Sequence, residues 1–448
     1  MPLLLKKNIH TWLYWSTCSI ALIPILSNAL SSISMMVWAA LLLLSLIVTD
    51  DRKKHAATRN KGLFLLIGGN FIFMALSLLY SNDIPRGSSL LTTSLPMFLF
   101  PLGFFVIGFP IEERSALFEK VLTIFWLSTV VMTFWIIGNY WKMDLLVEIG
   151  RASNMNTILR ETAEQLTDKH PDYLSIYLVF AIYIAGSRFI HRPGITQRII
   201  YGSSALLLLF MLLLLAARSP ILALVIGSMV ISFLLIKKPA VRWIASLTLL
   251  GAFLLAIRLT PAIWSRVMEV RNTPFATPVG HQYNSTNLRI GIYRCSWSLI
   301  KGHMWAGVGA GSENKLLMDC YSQLPTDAYQ KTFYNTHNQY VNFWLLSGIF
   351  SLLLFIASLI YAYRLSLRWK DHAMLFFLIL MTIAFASENV LSRQAGVVFY
   401  YFFLCLMIAR ARDPIAPHPL HAGILAEDEQ MPFRLRRNSF LFHTSRNK

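Results

Sequence analysis

Five side chains far apart in the chain are of types that act together on an anion and a proton: Arg218, Arg289, His337, Glu388 and Arg393. A guanidinium stays charged at any relevant pH and grips a phosphate through two parallel N–H bonds. Histidine is the one side chain whose ordinary pKa lets it serve as a neutral base near pH 7. Arg218 follows Leu215-Ala216-Ala217, Arg289 follows Asn284-Ser285-Thr286-Asn287-Leu288, and His337 stands in Asn335-Thr336-His337-Asn338-Gln339-Tyr340. Glu388-Asn389 and Arg393-Gln394 flank a short link, and His170 and Tyr173 open an apolar run. Each has a plainer reading alone. An arginine at the end of an apolar run can snorkel to water. A loop arginine can simply be solvated, and an isolated histidine at a helix start is often structural. What matters is whether the elements that carry these residues bring them to one place.

The composition points to a membrane. The chain has 448 residues, 56% hydrophobic and only 14% charged, with mean hydropathy +0.54. A soluble domain carries about 25% charged residues. A helix needs about 20 apolar residues to cross about 30 Å of hydrocarbon, and Ile199–Ala217, Leu222–Ile236 and Ile349–Tyr363 are uncharged blocks of that kind. We expect an all-α integral membrane protein of about twelve spans, near 11–27, 32–49, 62–80, 91–109, 120–139, 172–188, 199–217, 219–236, 241–258, 338–363, 373–388 and 392–410. The membrane region covers 1–410 and a disordered cytoplasmic tail covers 411–448. No separate signal peptide is evident, because no clear small-residue cleavage pattern follows the first span.

Charge then orients the spans. With the N-terminus in the cytoplasm, the inner links hold Arg52, Lys53, Lys54, Arg59 and Lys61, then Arg114 and Lys120, then Arg188, Arg192 and Arg198, then Lys237, Lys238 and Arg242, then Arg364, Arg368 and Lys370. The short outer links hold only Arg86 and Arg393. That alternation obeys the positive-inside rule. It also accounts for much of the net charge of +18 as charge facing inner-leaflet lipid, so nucleic acid is not an expected partner. In that orientation all five chemistry-bearing residues fall on the outer side at similar depth, and His170 and Tyr173 are also outside.

Two outer segments are long. In 139–171, Met155, Ile158, Leu159, Thr162 and Leu166 recur at helical spacing with Arg160, Glu161 and Glu164 elsewhere, which predicts an amphipathic helix at the interface or over the outer mouth. The segment 258–337 is rich in Trp, Tyr, Gly and His and is expected to be ordered, with Asn287 capping a helix that carries Arg289, Arg294 and Trp297. Gly307-Val308-Gly309-Ala310-Gly311 lacks a preceding strand, so it permits a tight turn or a close backbone approach to a ligand rather than a dinucleotide fold. Cys295 and Cys320 share the outer segment, where a disulfide can persist, but sequence does not show whether they meet. Cys18 and Cys405 lie within spans. No metal-ligand spacing such as CxxC or HExxH occurs.

The order Ala217-Arg218-Ser219, the long outer segment with Arg289, Trp297 and the glycine run, then His337-Asn338-Gln339-Tyr340 and Gly348, resembles the O-antigen ligase and O-antigen polymerase superfamily of bacterial membrane glycosyltransferases. Glu388-Asn389 with Arg393-Gln394-Ala395-Gly396 fits its C-terminal end, and His170-Pro171-Asp172-Tyr173-Leu174-Ser175 resembles a stretch of bacterial members. The clearest resemblance covers about 200–400. It implies the GT-C-like ligase architecture, in the inner membrane, with the active site on the periplasmic face. It implies transfer of a glycan from undecaprenyl diphosphate to a sugar hydroxyl, on lipid A–core for a ligase or on another lipid-linked glycan for a polymerase. It places the diphosphate contacts on Arg218 and Arg289 and the base on His337, with Arg393, Glu388, Asn338, His170 and Tyr173 around the substrate.

The chemistry is physically reasonable. Arginines in a low-dielectric site offset the negative charge that builds on the leaving diphosphate, so no metal or cofactor is required, and inversion follows because no covalent nucleophile is evident. The first outer loop, Ser27–Ser31, holds no acidic residue, unlike metal-dependent lipid-linked glycosyltransferases. Ligase is the favoured reading and polymerase the alternative. A secondary transporter would instead show midplane charges, broken helices and an internal repeat.

Overall fold

The structure is a computed structural model that describes residues 2–48, 55–56, 58–111, 113–147, 155–191, 194–259, 261–281, 283–330 and 333–411. The expected tail after residue 411, and Arg52, Lys53, Lys54 and Arg192 of the charge count, lie outside these described residues. In hydrocarbon every backbone N–H and C=O must find its partner within the protein, and a helix does this locally. Seventeen α-helices accordingly run through the described residues: α1 (Pro2–Ile20), α2 (Asn28–Val48), α3 (Lys61–Ser77), α4 (Ile84–Ser94), α5 (Pro96–Pro101), α6 (Arg114–Lys142), α7 (Met155–Thr167), α8 (Pro171–His191), α9 (Ile195–Leu215), α10 (Arg218–Leu235), α11 (Pro239–Leu259), α12 (Pro261–Asn272), α13 (Ser285–Gly302), α14 (Ser312–Tyr321), α15 (Gln339–Arg368), α16 (His372–Ser387) and α17 (Gln394–Ala411).

Eight of these helices are long and apolar enough to cross a membrane, namely α2, α3, α6, α8, α9, α10, α15 and α17. A ninth crossing arises if α4 and α5, which meet at 45°, count as one broken span. Pro96, which lacks a backbone donor, opens α5 at that bend, and past Pro101 the chain continues as a π-helix over Leu102–Gly108. The other expected spans coincide with α1, with α11 and with the sixteen-residue α16. The first differs in extent. α1 begins at Pro2 and ends at Ile20, and residues 21–26 form turns around Pro24.

The last described helix is the centre of the bundle. From Ala395 to Ala409 every residue of α17 is buried, the mark of a helix surrounded by other helices. Its aromatic rings interlock with those of the surrounding helices. The Phe399 ring centroid lies 5.4 Å from that of Phe125 on α6, Phe403 lies 5.3 Å from Phe180 on α8, and Tyr400 lies 5.0 Å from Phe385 on α16. Ion pairs tie the helices at the end opposite the site. Arg188 of α8 pairs with Glu119 of α6 at 3.4 Å, and Arg410 of α17 pairs with Asp371 ahead of α16.

At the other end a backbone clamp joins the glycine run to α15. Gly348 breaks α15 with φ 80° and ψ −179°. That break leaves the carbonyls of Leu345 and Leu346 without helical donors, and they accept the N–H groups of Val308 (2.8 Å) and Gly309 (3.1 Å). On its far side the run meets the α3–α4 link. Ala310 N–H donates to Ser77 Oγ at 3.0 Å, and Ser81 Oγ donates to the Ala310 carbonyl at 2.7 Å. A Cβ at Gly87 would come 2.4 Å from that carbonyl. The close approach expected of the glycines is therefore to the chain's own backbone. A disulfide, Cys295–Cys320, ties α13 to α14. The cap of α13 is Asn284, three residues before the expected Asn287. Asn284 and Asn287 form a reciprocal capping box, each side chain accepting the other's backbone N–H.

Two outcomes follow. Gly348→Ala places a Cβ 1.9 Å from the Trp305 carbonyl oxygen in a backbone conformation that L-residues avoid, and should lower stability by about 3 kcal/mol or more, read as a fall in the melting temperature of the detergent-solubilised protein. Mass mapping without reductant should recover the Cys295–Cys320 peptide pair, and Cys295→Ser should cost about 2–5 kcal/mol.

Candidate functional site

The site is built on two links stitched together. One is Asn335–Asn338, leading into α15, and the other is Glu388–Arg393, between α16 and α17. The Asn389 side-chain oxygen accepts the Asn338 N–H at 2.7 Å and the Thr336 hydroxyl at 2.9 Å, while its amide donates to Asn342 at 3.2 Å. The Leu391 N–H donates to the Gln339 side chain at 2.8 Å. Asn338 caps α15 by accepting the N–H groups of Tyr340 and Val341. His337, just before the cap, takes a left-handed φ of 43°, which costs a non-glycine residue of order 1–3 kcal/mol and persists only where the surroundings enforce it. The ladder to Asn389 enforces it.

That geometry delivers the imidazole to Glu388. His337 Nδ1 lies 3.1 Å and 3.0 Å from the two carboxylate oxygens. A carboxylate only accepts, so Nδ1 carries a proton and donates, which in the neutral ring leaves the lone pair on Nε2. Arg289 Nη2 donates to the same carboxylate at 3.1 Å. The three groups therefore form one chain, Arg289–Glu388–His337, all part-buried. A base whose other ring nitrogen is held by a carboxylate, itself held by an arginine, is fixed in tautomer and orientation.

The chain lies between two chambers, and His337, Glu388 and His170 line both. The larger, about 530 Å³, is lined by Arg160, Arg218 and Arg289, among others. Each guanidinium there has a carboxylate partner: Arg160 with Asp172 at 3.0 Å, Arg218 with Glu269 at 3.7 Å, and Arg289 with Glu388 at 3.1 Å. Arg218 also donates to Ser285 Oγ at 3.1 Å, and Ser285 donates to Glu269 at 2.6 Å. A guanidinium has five N–H donors, so a carboxylate holding one edge leaves others for phosphate oxygens. The chamber suits a ligand carrying more than one phosphate.

The smaller chamber, about 370 Å³, is lined by Arg86, Glu313, Arg393, Tyr173, Phe333 and Tyr334, among others. Arg393 is 59% exposed and lies 3.6 Å from Glu164 of α7. Tyr173 is buried, with its hydroxyl 3.3 Å from the Asn389 carbonyl. Both volumes fall in the range of small-molecule sites, about 300–1,000 Å³. Among the described residues no group of three or more His, Cys, Asp or Glu side chains could hold a metal ion.

The expected site residues do come together, with distinct places. Arg218 and Arg289 line the first chamber, Arg393 and Tyr173 the second, and His337, Glu388 and His170 both. Asn338 lines neither. Its side chain is spent on the cap and on the Ala386 carbonyl. The helix expected from Met155 onward exists as α7, with Met155, Leu159 and Ala163 buried. Its Arg160, which spacing placed on the polar face, reaches over the mouth to the Leu215 carbonyl and to Asp172. Arg160, Glu269, Arg86 and Glu313 are functional candidates that the sequence did not single out. The available signals were weak: Arg86 is the one basic residue of its short link, and Glu313 directly follows the glycine run and Ser312.

No curated protein matches the sequence. A match to a protein family does occur, and it contains Arg218, Arg289, Glu313 and His337 while leaving out His170, Glu388 and Arg393. Residues 203–356 match the family described as O-Antigen ligase, which places this segment of a multi-pass membrane protein in the O-antigen ligase and polymerase superfamily.

Proposed function

We propose that the protein is a glycosyltransferase of the O-antigen ligase type. On this reading it transfers a glycan from undecaprenyl diphosphate to a sugar hydroxyl of lipid A–core, at the periplasmic face of the bacterial inner membrane. The observation that carries the reading is the Arg289–Glu388–His337 chain set between an arginine-lined chamber and a second chamber. The diphosphate of the donor occupies the first, on Arg218 and Arg289 with Arg160 beside them. The acceptor enters the second.

His337 Nε2 takes the proton of the acceptor hydroxyl. The acceptor oxygen forms a bond to the anomeric carbon as the bond from that carbon to the diphosphate oxygen breaks. The electron pair of that bond leaves on the diphosphate, and the anomeric configuration inverts. The growing charge on the leaving oxygen meets guanidinium groups already held by their carboxylates, so little reorganisation is needed at the moment of reaction. Glu388 stabilises the imidazolium that forms and keeps Nδ1 protonated throughout. The arginines supply the countercharge that a metal would otherwise supply. A polymerase would use the same donor chemistry with a second lipid-linked glycan as acceptor.

His337→Ala should slow transfer by about 10²–10⁴-fold, the worth of general-base catalysis. Arg289→Ala should slow it by about 10²–10³-fold, the worth of one preorganised charge stabiliser. Glu388→Gln keeps an acceptor for Nδ1 but loses the charge, and should fall between wild type and His337→Ala. Envelope glycans from a deletion strain carrying each variant, resolved on gels, provide the readout. Long chains left on the lipid carrier indicate a ligase, and single repeat units on the core indicate a polymerase. Normal glycan profiles with both His337→Ala and Arg289→Ala, at normal membrane levels, would end the mechanism.

A further inference from the structure

The second chamber contains a charged group for which the transfer step has no use. Glu313 lies in the first turn of α14, and its side chain is only 9% exposed. One carboxylate oxygen accepts the Gly311 N–H at 2.7 Å. The other, Oε1, stands 3.9 Å from Arg86 Nε, beyond hydrogen-bond reach. Burial raises this carboxyl above the usual glutamate range, against the pull of the Gly311 N–H and of Arg86. A carboxylate stripped of water in this way gains from any further hydroxyl or N–H donor that reaches it.

Arg86 faces it from the first turn of α4. Its guanidinium lies 5.3 Å from the centre of the Phe333 ring. It also donates from Nη1 at 3.1 Å and from Nε at 3.3 Å to the Asn314 side-chain oxygen, in the amide orientation that satisfies both groups. The pair is held apart and presented by the backbone clamp, because the Asn82 N–H donates to Ser312 Oγ at 2.7 Å. One carboxylate, one guanidinium and an aromatic face thus converge on a 370 Å³ chamber that shares His337 with the arginine-lined one. The arginine-lined chamber gathers three guanidinium groups. Here two carboxylates, Glu313 and Glu388, stand with two guanidinium groups, Arg86 and Arg393, so that with the histidines neutral the formal charges cancel, an arrangement for a neutral polyol rather than a phosphate.

Resting on the transfer reading above, we propose that Glu313 and Arg86 select the acceptor: Glu313 Oε1 accepts a hydrogen bond from a hydroxyl of the acceptor sugar, Arg86 donates to an adjacent oxygen, and Phe333 covers the apolar face of the ring. The acceptor class is a pyranose with neighbouring hydroxyls beside the one that attacks. The pair acts on binding, while His337 acts on the proton.

The test uses the full chain reconstituted in liposomes, with lipid A–core glycolipid titrated at saturating undecaprenyl-diphosphate glycan and the donor then titrated at saturating acceptor. A parallel series uses the lipid-linked glycan itself as acceptor, to cover a polymerase. Glu313→Gln retains an oxygen for the Gly311 N–H, so the start of α14 keeps its cap. It should raise the acceptor KM about tenfold, the loss of one charge-assisted hydrogen bond, with the donor KM and the melting temperature unchanged. Arg86→Gln should split the two constants in the same sense, and decides the matter if Glu313→Gln fails to reconstitute. An acceptor KM equal to wild type overturns the proposal. So does an equal rise in the donor KM, which marks distortion of the wall the chambers share. Wild-type protein that transfers nothing in either series overturns the functional reading as well, which separates the two failures.

Discussion

The Glu388 carboxylate is shared between His337 and Arg289, and the remaining architecture of the site follows from that sharing. A carboxylate in a part-buried site is costly unless donors surround it. Here one oxygen receives both a guanidinium and an imidazole N–H, while the other receives the imidazole alone. The arrangement does three things at once. It sets the histidine tautomer, it anchors an arginine that faces the phosphate-sized chamber, and it couples the two so that displacing either disturbs both. On the transfer reading, base and charge stabiliser are therefore one unit, and substitutions within it will not be additive.

Holding that unit requires rigid backbone, and the chain obtains it by using the backbone's own hydrogen bonds. The left-handed φ at His337 is imposed by the Asn389 ladder. The break at Gly348 releases two carbonyls that tie the glycine run to α15, and the same run then seats α4 and α14 with Arg86 and Glu313. The glycines thus contribute indirectly. They let three chain segments approach closely enough that a small chamber forms with polar groups only where the clamp puts them.

Much of this was legible beforehand. Apolar blocks of bilayer length and alternating basic links indicated the helical membrane class, and the common depth of Arg218, Arg289, His337, Glu388 and Arg393 indicated a shared site. What spacing does not encode is which charge partners which. Arg218 meets Glu269, fifty-one residues on, and Arg289 meets Glu388, ninety-nine residues on. The resemblance placed Asn338 around the substrate, while in the structure its side chain caps α15. The disulfide was open for the same reason, since proximity of Cys295 and Cys320 depends on how α13 and α14 pack. Glu313 drew no notice because its character comes from burial, and burial is a property of the assembled structure.

The position of α17 has a consequence for how the protein comes into being. Translation and membrane insertion proceed from the N-terminus, so the sixteen other described helices emerge before the one around which α6, α8 and α16 are arranged. Until it arrives, the space it will occupy among Phe125, Phe180, Phe377 and Phe385 has to be filled by lipid or by a looser packing. The Glu388–Arg393 link arrives at nearly the same moment. A nascent chain therefore carries Arg218, Arg289 and His337 before Glu388, the carboxylate that joins the last two, and on the transfer reading it stays inert until its innermost helix is in place.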